Sequence, residues 1–239
     1  MDVHLNKSKL LQKRLLAVMA SVLVCLVFAQ SPTHLITPEL LALAKKMYGD
    51  GIELQLASWG ELVGENEQSK DLEKLQKVNA YFNTEIKFTS DANHWHKEDY
   101  WATPLESLGT EAGDCEDFVI AKYFSLIQAG IKEEKLRITY VKALKLNQAH
   151  MVLAYYASPR ATPLILDNLT PKILPASKRR DLSPVYSFNG LGMWLERMKG
   201  SSIRIGDPNR LNMWMDLLVR MDEQKMEPWL RLPDKGQKP

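Results

Sequence analysis

Residues 113–118 read GDCEDF, with Cys115 between Asp114 and Glu116 and Asp117 one place further on. A thiol among three carboxylates is a poor thiolate, because negative neighbours disfavour its charged, reactive form. Either Cys115 is inert or something cancels the acid. The stretch that follows carries Phe118, Val119, Ile120, Ala121, Tyr123, Phe124, Leu126 and Ile127, apolar positions that cover most of a helix circumference. This predicts a helix over 114–129 that stops at Gly130 and is buried on nearly all sides. Asp114 then falls at the N-cap and Cys115 in the first turn, where unpaired N–H groups and the helix dipole favour negative charge. The same N–H groups can form part of an oxyanion hole.

Upstream of this helix, TPELLALAKKMYG (37–49) has Pro38 at a helix start and Gly49 at its stop. SKDLEKLQKVNAYFN (69–83) puts Leu72, Leu75, Val78 and Phe82 on one face of a second helix. Downstream the hydrophobic period changes to two. LRITYVKAL (136–144), AHMVLAYYA (149–157) and PLILDNL (163–169) read as strands of an antiparallel meander, with further strands at PVYSF (184–188) and SIRIG (202–206). NRLNMWMDLLVRMDEQ (209–224) is helical, its Met and Trp residues suited to core packing. The tail after Glu227 holds Pro228, Pro233 and Pro239 and is expected to be loose.

The amino terminus stands apart from this fold. Lys7, Lys9, Lys13 and Arg14 precede the apolar run LLAVMASVLVCLVFAQ, and Val27-Phe28-Ala29 has the form of a small-x-small cleavage site. This predicts a secretory signal peptide over 1–29, cut after Ala29; the run is short for an uncleaved bilayer anchor. The four bases and Asp2 leave with it, so 27 Lys+Arg stand against 28 Asp+Glu and the composition makes no case for nucleic-acid binding. Cys25 also leaves. A single thiol, Cys115, then remains in an oxidising compartment, which makes it a candidate reactive cysteine against the plainer reading of a buried, inert one.

Thiol catalysis needs a base and a group to orient it. Of five histidines, His4 leaves with the signal, His34 sits at the new terminus, and His94 and His96 lie in a polar loop. His150 alone lies in a strand run, near its end. Asp167 closes the next run and can approach His150 if the two strands are antiparallel neighbours. Each has a plain reading, a structural histidine and an Asx turn at a strand end. The ordered set Cys115, His150, Asp167 is more specific than any member.

WATPLE (101–106), GDCEDF, AKYFSL (121–126), AHMVL (149–153) and LDNL (166–169) together resemble the bacterial transglutaminase-like cysteine proteinases, most closely their periplasmic LapG type. The resemblance spans roughly Trp101 to Leu169. It implies an α+β, papain/transglutaminase-like fold. A helical amino-terminal lobe (about 37–90) and a catalytic core with an antiparallel sheet (about 91–225) would form one domain over 30–239. By matching position it implies a Cys115–His150–Asp167 triad. It also implies calcium dependence, with Asp114 and Glu116 as ion ligands and Asp117 a weaker match. Hard carboxylate oxygens suit Ca²⁺, and a divalent cation would lift the acid's penalty on the thiolate. Without the resemblance, the same acids read as an N-cap and dipole-complementing first-turn residues, and the spacing is not that of an EF-hand.

The resemblance further implies a large surface adhesin as substrate, cut near its amino terminus to release cells from a biofilm. The implied partner is the periplasmic domain of an inner-membrane cyclic-di-GMP receptor. Two alternatives stay open: transglutaminase- or amidase-type acyl transfer on the same fold, and a non-catalytic calcium-dependent regulatory module. Tyr100 and Trp101 fit either a substrate cleft or the core. Asn147 and Gln148 either donate to an oxyanion or face water, and SKRRD (177–181) reads as a solvated basic loop.

Overall fold

The computed structural model describes residues 35–66, 68–196 and 202–230; the predicted signal segment, His34 and the chain beyond 230 lie outside them. Three helices come first: α1 (Pro38–Tyr48), α2 (Ile52–Asn66) and α3 (Asp71–Glu85). Thr37 caps α1, its Oγ1 accepting the Leu40 N–H at 3.1 Å ahead of Pro38, and Gly49 ends it at φ 83°, a left-handed conformation that costs glycine little. In α3, Leu75, Val78 and Phe82 are buried as the periodicity predicts, but Leu72, in the first turn, is 51% exposed. A short parallel pair, β1 (Lys87–Phe88) with β2 (Ala112–Gly113), brackets α4 (Asp91–His94) and α5 (Pro104–Thr110).

α5 was hidden in a stretch rich in turn formers. Its start carries a capping box: Thr103 Oγ1 accepts the Glu106 N–H at 3.1 Å, and Glu106 Oε2 accepts the Thr103 N–H at 2.8 Å. Then α6 (Cys115–Gln128) runs through the molecule with every residue from Glu116 to Ile127 buried. It packs on β4 (Gln148–Tyr155) and β3 (Leu136–Ala143) on one side and on α3 and α5 on the other.

The remaining strands are β5 (Leu164–Leu166), β6 (Leu174–Pro175), β7 (Leu182–Asn189), β8 (Gly192–Glu196) and β9 (Ser202–Gly206). They complete a seven-stranded sheet of order β6-β5-β4-β3-β7-β8-β9 in which all neighbours are antiparallel. The meander expected from the period-two runs is β3-β4-β5, and the chain then crosses to pair β7 on the far side of β3. β8 escaped the sequence reading, being five residues entered through Gly190-Leu191-Gly192. Alternation sorts the two faces: Leu136, Ile138, Met151, Leu153 and Tyr155 join the main core under α6, whereas Val141, Val152, Ala154 and Ile165 form a smaller cluster. This is the α+β class expected, with Cys115 at the start of a central helix packed on an antiparallel sheet.

Two carboxy-terminal helices close the core, α7 (Asn212–Glu223) and α8 (Glu227–Leu230). Trp214, Leu217 and Met221 are buried, as core packing requires. The expectation of a loose chain after Glu227 is corrected for 227–230. Trp229 is 1% exposed and stacks on Trp59 with ring centroids 3.6 Å apart, and its Nε1 donates to the Leu35 carbonyl at 2.9 Å. A short apolar anchor inside a proline-bearing stretch gives no periodicity to read. Trp229→Ala should destabilise the fold by about 3–5 kcal/mol, measurable as a lower urea midpoint, whereas Leu72→Ala should stay within about 0.5 kcal/mol of the parent.

Candidate active site

Asp167 lies just past β5. The β4–β5 register pairs Leu153 with Leu166, so the next residue falls opposite Val152 and diagonal to His150. The two side chains meet: His150 Nε2 and Asp167 Oδ1 are 2.8 Å apart, with the histidine 3% and the aspartate 0% exposed. Nε2 is therefore the protonated nitrogen of the neutral ring, which leaves Nδ1 to act as base.

The aspartate is held on every side. Oδ1 also accepts the Leu169 N–H at 3.0 Å, Oδ2 accepts from Arg179 Nη2 at 2.7 Å, and the main-chain carbonyl accepts from Asn83 Nδ2 at 2.9 Å. Burial alone would push its carboxyl up, but the His150 hydrogen bond, the Leu169 N–H and Arg179 together hold it below the usual range. Arg179 is corrected from the solvated loop expected of SKRRD. It is 5% exposed and pairs with both Asp167 and Asp181. A charge run read locally gives no sign that one member turns inward to a residue twelve positions back.

Cys115 opens α6, which packs on β4, and the peptide N–H of Met151, the residue after His150 on that strand, acts to lower its thiol's pKa. Its own proton goes to Glu116 Oε2 at 3.0 Å rather than to the imidazole. Burial first, then the Glu116 and Asp114 charges, push the thiol well above its ordinary value. In this arrangement burial and the acid cluster together keep the thiol protonated.

That cluster is larger than the motif. Asp91, from α4, is buried with Oδ2 on the Tyr100 N–H at 2.6 Å, and Asp99 stands at the exposed side. Three overlapping sets, Asp114/Cys115/Glu116, Asp91/Asp114/Asp117 and Asp91/Asp99/Glu116, each bring one donor atom per residue within 4.8 Å of the others. Asp91 Oδ1 and Asp114 Oδ1 are buried with no hydrogen-bond partner. Burial and the Asp114 charge push Asp91 up to about 6, and burial and a proton shared with Asp114 push Glu116 up to about 10. Orphaned carboxylate oxygens in a crowd of like charge are the donor set of a hard divalent cation. Asp117, by contrast, is fully buried with both oxygens engaged: Oδ1 takes the Ala102 N–H at 2.7 Å and Oδ2 the Asp114 N–H at 3.0 Å. It braces the loop, and Gly113 is small for that reason, since a Cβ there would sit 2.7 Å from Asp117 Oδ2.

The other sequence candidates separate. Trp101 is a core residue, 5% exposed and stacked on Phe188 at 5.7 Å, and Tyr100 is half-buried with its hydroxyl on Glu106. Asn147, in the β3–β4 turn, and Gln148, the first residue of β4, are exposed. His94 bonds Thr110 Oγ1. A groove of about 570 Å³ on the sheet is floored by Val141, Val152, Ala154 and Ile165; Arg179 lines it, whereas Cys115, His150, Asp167 and the acid cluster do not. The chemistry is therefore located by the thiol, imidazole and carboxylate rather than by concavity.

A thiol at a helix start, beside a strand whose histidine is oriented by a buried carboxylate, is the layout of thiol-dependent acyl transfer. Residues 60–181 match the family model of the bacterial transglutaminase-like cysteine proteinases. Among solved structures, Legionella pneumophila LapG in its EGTA-treated form is 42% identical over 76% of this chain and 95% of that one, with a TM-score of 0.67. The calcium-bound form of LapG is likewise 42% identical, over 76% and 97%, with a TM-score of 0.65. No curated protein matches the chain. The chain belongs to the bacterial transglutaminase-like cysteine proteinase family.

Arg179→Ala leaves Asp167 buried without its cation and should cost on the order of 3–5 kcal/mol. The aspartate's depressed folded value means that its contribution is present above the unfolded carboxylate range and disappears as pH falls through the lower folded value. Losing Arg179 raises that folded value. Acid unfolding followed by circular dichroism should begin at higher pH in the variant than in the parent.

Proposed function

We propose that this protein is a periplasmic, calcium-dependent cysteine endopeptidase. The observation that carries the reading is the buried 2.8 Å His150–Asp167 bond on the strand against which the Cys115 helix packs. Family membership and the LapG structures support it.

In the reaction, Nδ1 of His150 takes the Cys115 proton while Asp167 steadies the Nε2–H. The thiolate adds to the scissile carbonyl, and the oxyanion is met by N–H groups at the start of α6. The C–N bond breaks as the imidazolium passes its proton to the leaving amine. A thioester remains. Water, deprotonated by His150, attacks it and releases the new carboxylate and the thiol.

Asp91, Asp114 and Glu116 would hold the calcium ion, with Asp99 at its exposed side. When bound it supplies positive charge that offsets the carboxylates around the thiol. Glu116 Oε2, which accepts the Cys115 thiol at 3.0 Å, is the residue through which such a charge would bear on the thiol.

The mature chain, exported by residues 1–29, would act on the amino-terminal region of its host's large surface adhesin and release cells from a biofilm. The periplasmic domain of an inner-membrane cyclic-di-GMP receptor would restrain it. Support for this substrate and partner is the family resemblance.

Purified enzyme with calcium should cut that adhesin region, and Cys115→Ala and His150→Ala should not, a loss of at least about 10³-fold. Product mass spectrometry with an amine present should find hydrolysis rather than cross-links. An intact substrate with the parent enzyme, or full biological activity in Cys115→Ala, removes the proteinase reading. Excess chelator should abolish cleavage. Asp91→Asn should weaken calcium binding in calorimetry by about tenfold or more, because a charged ligand is lost. Asp117→Asn should lower the melting temperature instead. Undiminished cleavage in chelator takes the metal out of the account.

A further inference from the structure

Lys122 is a misfit in the core. It lies in the middle of α6 with 0% exposure, and the carboxylates around it are not in contact. Its Nζ has Asn83 Oδ1, on α3, as a partner at 2.6 Å, and the Phe118 ring stands 5.6 Å away. A buried ammonium with an amide for a partner is costly, because its hydration is only partly replaced. Its proton affinity records that cost, for burial lowers its pKa to about 7 even though the Asp167 charge acts to raise it. A methionine of similar length would fill the same space without the penalty.

The partner explains why a cation stands there. A lysine ammonium only donates. It therefore fixes which way the Asn83 amide points, oxygen toward Lys122 and nitrogen away. The freed Nδ2 lies 2.9 Å from the main-chain carbonyl of Asp167, whose carboxylate orients His150. Without that ammonium the amide oxygen is left without its donor, and the amide is held at the Asp167 carbonyl by its nitrogen alone. Lys122 is also seven positions after Cys115, two turns down the same helix face and about 10 Å along its axis. One rigid helix thus carries the thiol at its start and the anchor of the carboxylate's peptide two turns below.

We infer that Lys122 and Asn83 are a positioning pair for the Cys115–His150–Asp167 site, in which the buried ammonium sets the Asn83 amide and the amide holds Asp167 in place for His150. Neither touches the reacting atoms. The inference rests on the cysteine-proteinase reading above and goes beyond it, since a helix-borne cation acts here on the third member of the site through its main-chain carbonyl, whereas Arg179 holds its carboxylate.

The test compares the parent, Lys122→Met and Asn83→Asp on the adhesin fragment with calcium, with Cys115→Ala as the blank. Lys122→Met should melt at the same temperature as the parent or higher, because it discards a buried charge. Its kcat should nevertheless fall about tenfold or more, with KM within twofold. A lysine kept only for packing moves the melting temperature and leaves that split unchanged. Asn83→Asp keeps an acceptor for Lys122 but loses the donor to Asp167, and should show the same fall in kcat. A Lys122→Met enzyme with kcat within twofold of the parent overturns the inference, whatever Asn83→Asp does. Should Lys122→Met fail to fold, Asn83→Asp decides: reduced kcat at unchanged melting supports the pair, and unchanged kcat overturns it. A parent no more active than Cys115→Ala instead overturns the proteinase reading, a result separate from either variant's.

Discussion

The structure depends on burying α6 from all sides. Its residues from Glu116 to Ile127 are lost from solvent between the sheet and the amino-terminal helices. A helix so enclosed cannot shift without disturbing β3, β4, α3 and α5 together, because packed cores are bistable rather than soft. Its first turn is consequently a fixed point, and Cys115 is carried at it. Trp229, stacked on Trp59 from the far end of the chain, and Trp59 Nε1 on Ser125 Oγ at 2.7 Å tie the carboxy terminus to the same helix.

Enclosure also sets the electrostatics. Desolvation is the first cause of the raised values of Cys115, Asp114, Glu116 and Asp117 and of the lowered value of Lys122. The acids at the start of the helix repel one another and leave oxygens without donors. The lysine two turns on has an amide for company. Around Asp167 the balance is the reverse, since an imidazole, a guanidinium and a peptide N–H outweigh its burial. The molecule thus holds one carboxylate charged and oriented, and at the start of α6 holds a group of carboxylates that repel one another.

Much of this was legible in the chain. Apolar residues all round 118–127 announced a buried helix, and a change of period from 3.6 to two announced the sheet. Asp114 at a helix start and Asp167 at a strand end followed from the same patterns. What escaped were residues whose roles depend on partners far away in sequence. Arg179 looked like one of several loop bases until the fold turned it onto Asp167. Asp91 lies 23 residues before Asp114, in a short helix with no periodicity. Lys122 was lost among apolar neighbours, and Trp229 among prolines.

The linear pattern by itself determined the local elements and the order of thiol, imidazole and carboxylate, because hydrophobic periodicity and capping chemistry act over a few residues. Tertiary structure alone decided which charges meet. The pairing of Asp167 with Arg179, the gathering of Asp91 beside Asp114, and the Lys122–Asn83–Asp167 chain are products of packing. The physical reason is range. Periodicity is written into neighbouring residues, whereas desolvation and ion pairing are properties of a site that exists only after distant segments have excluded the water between them.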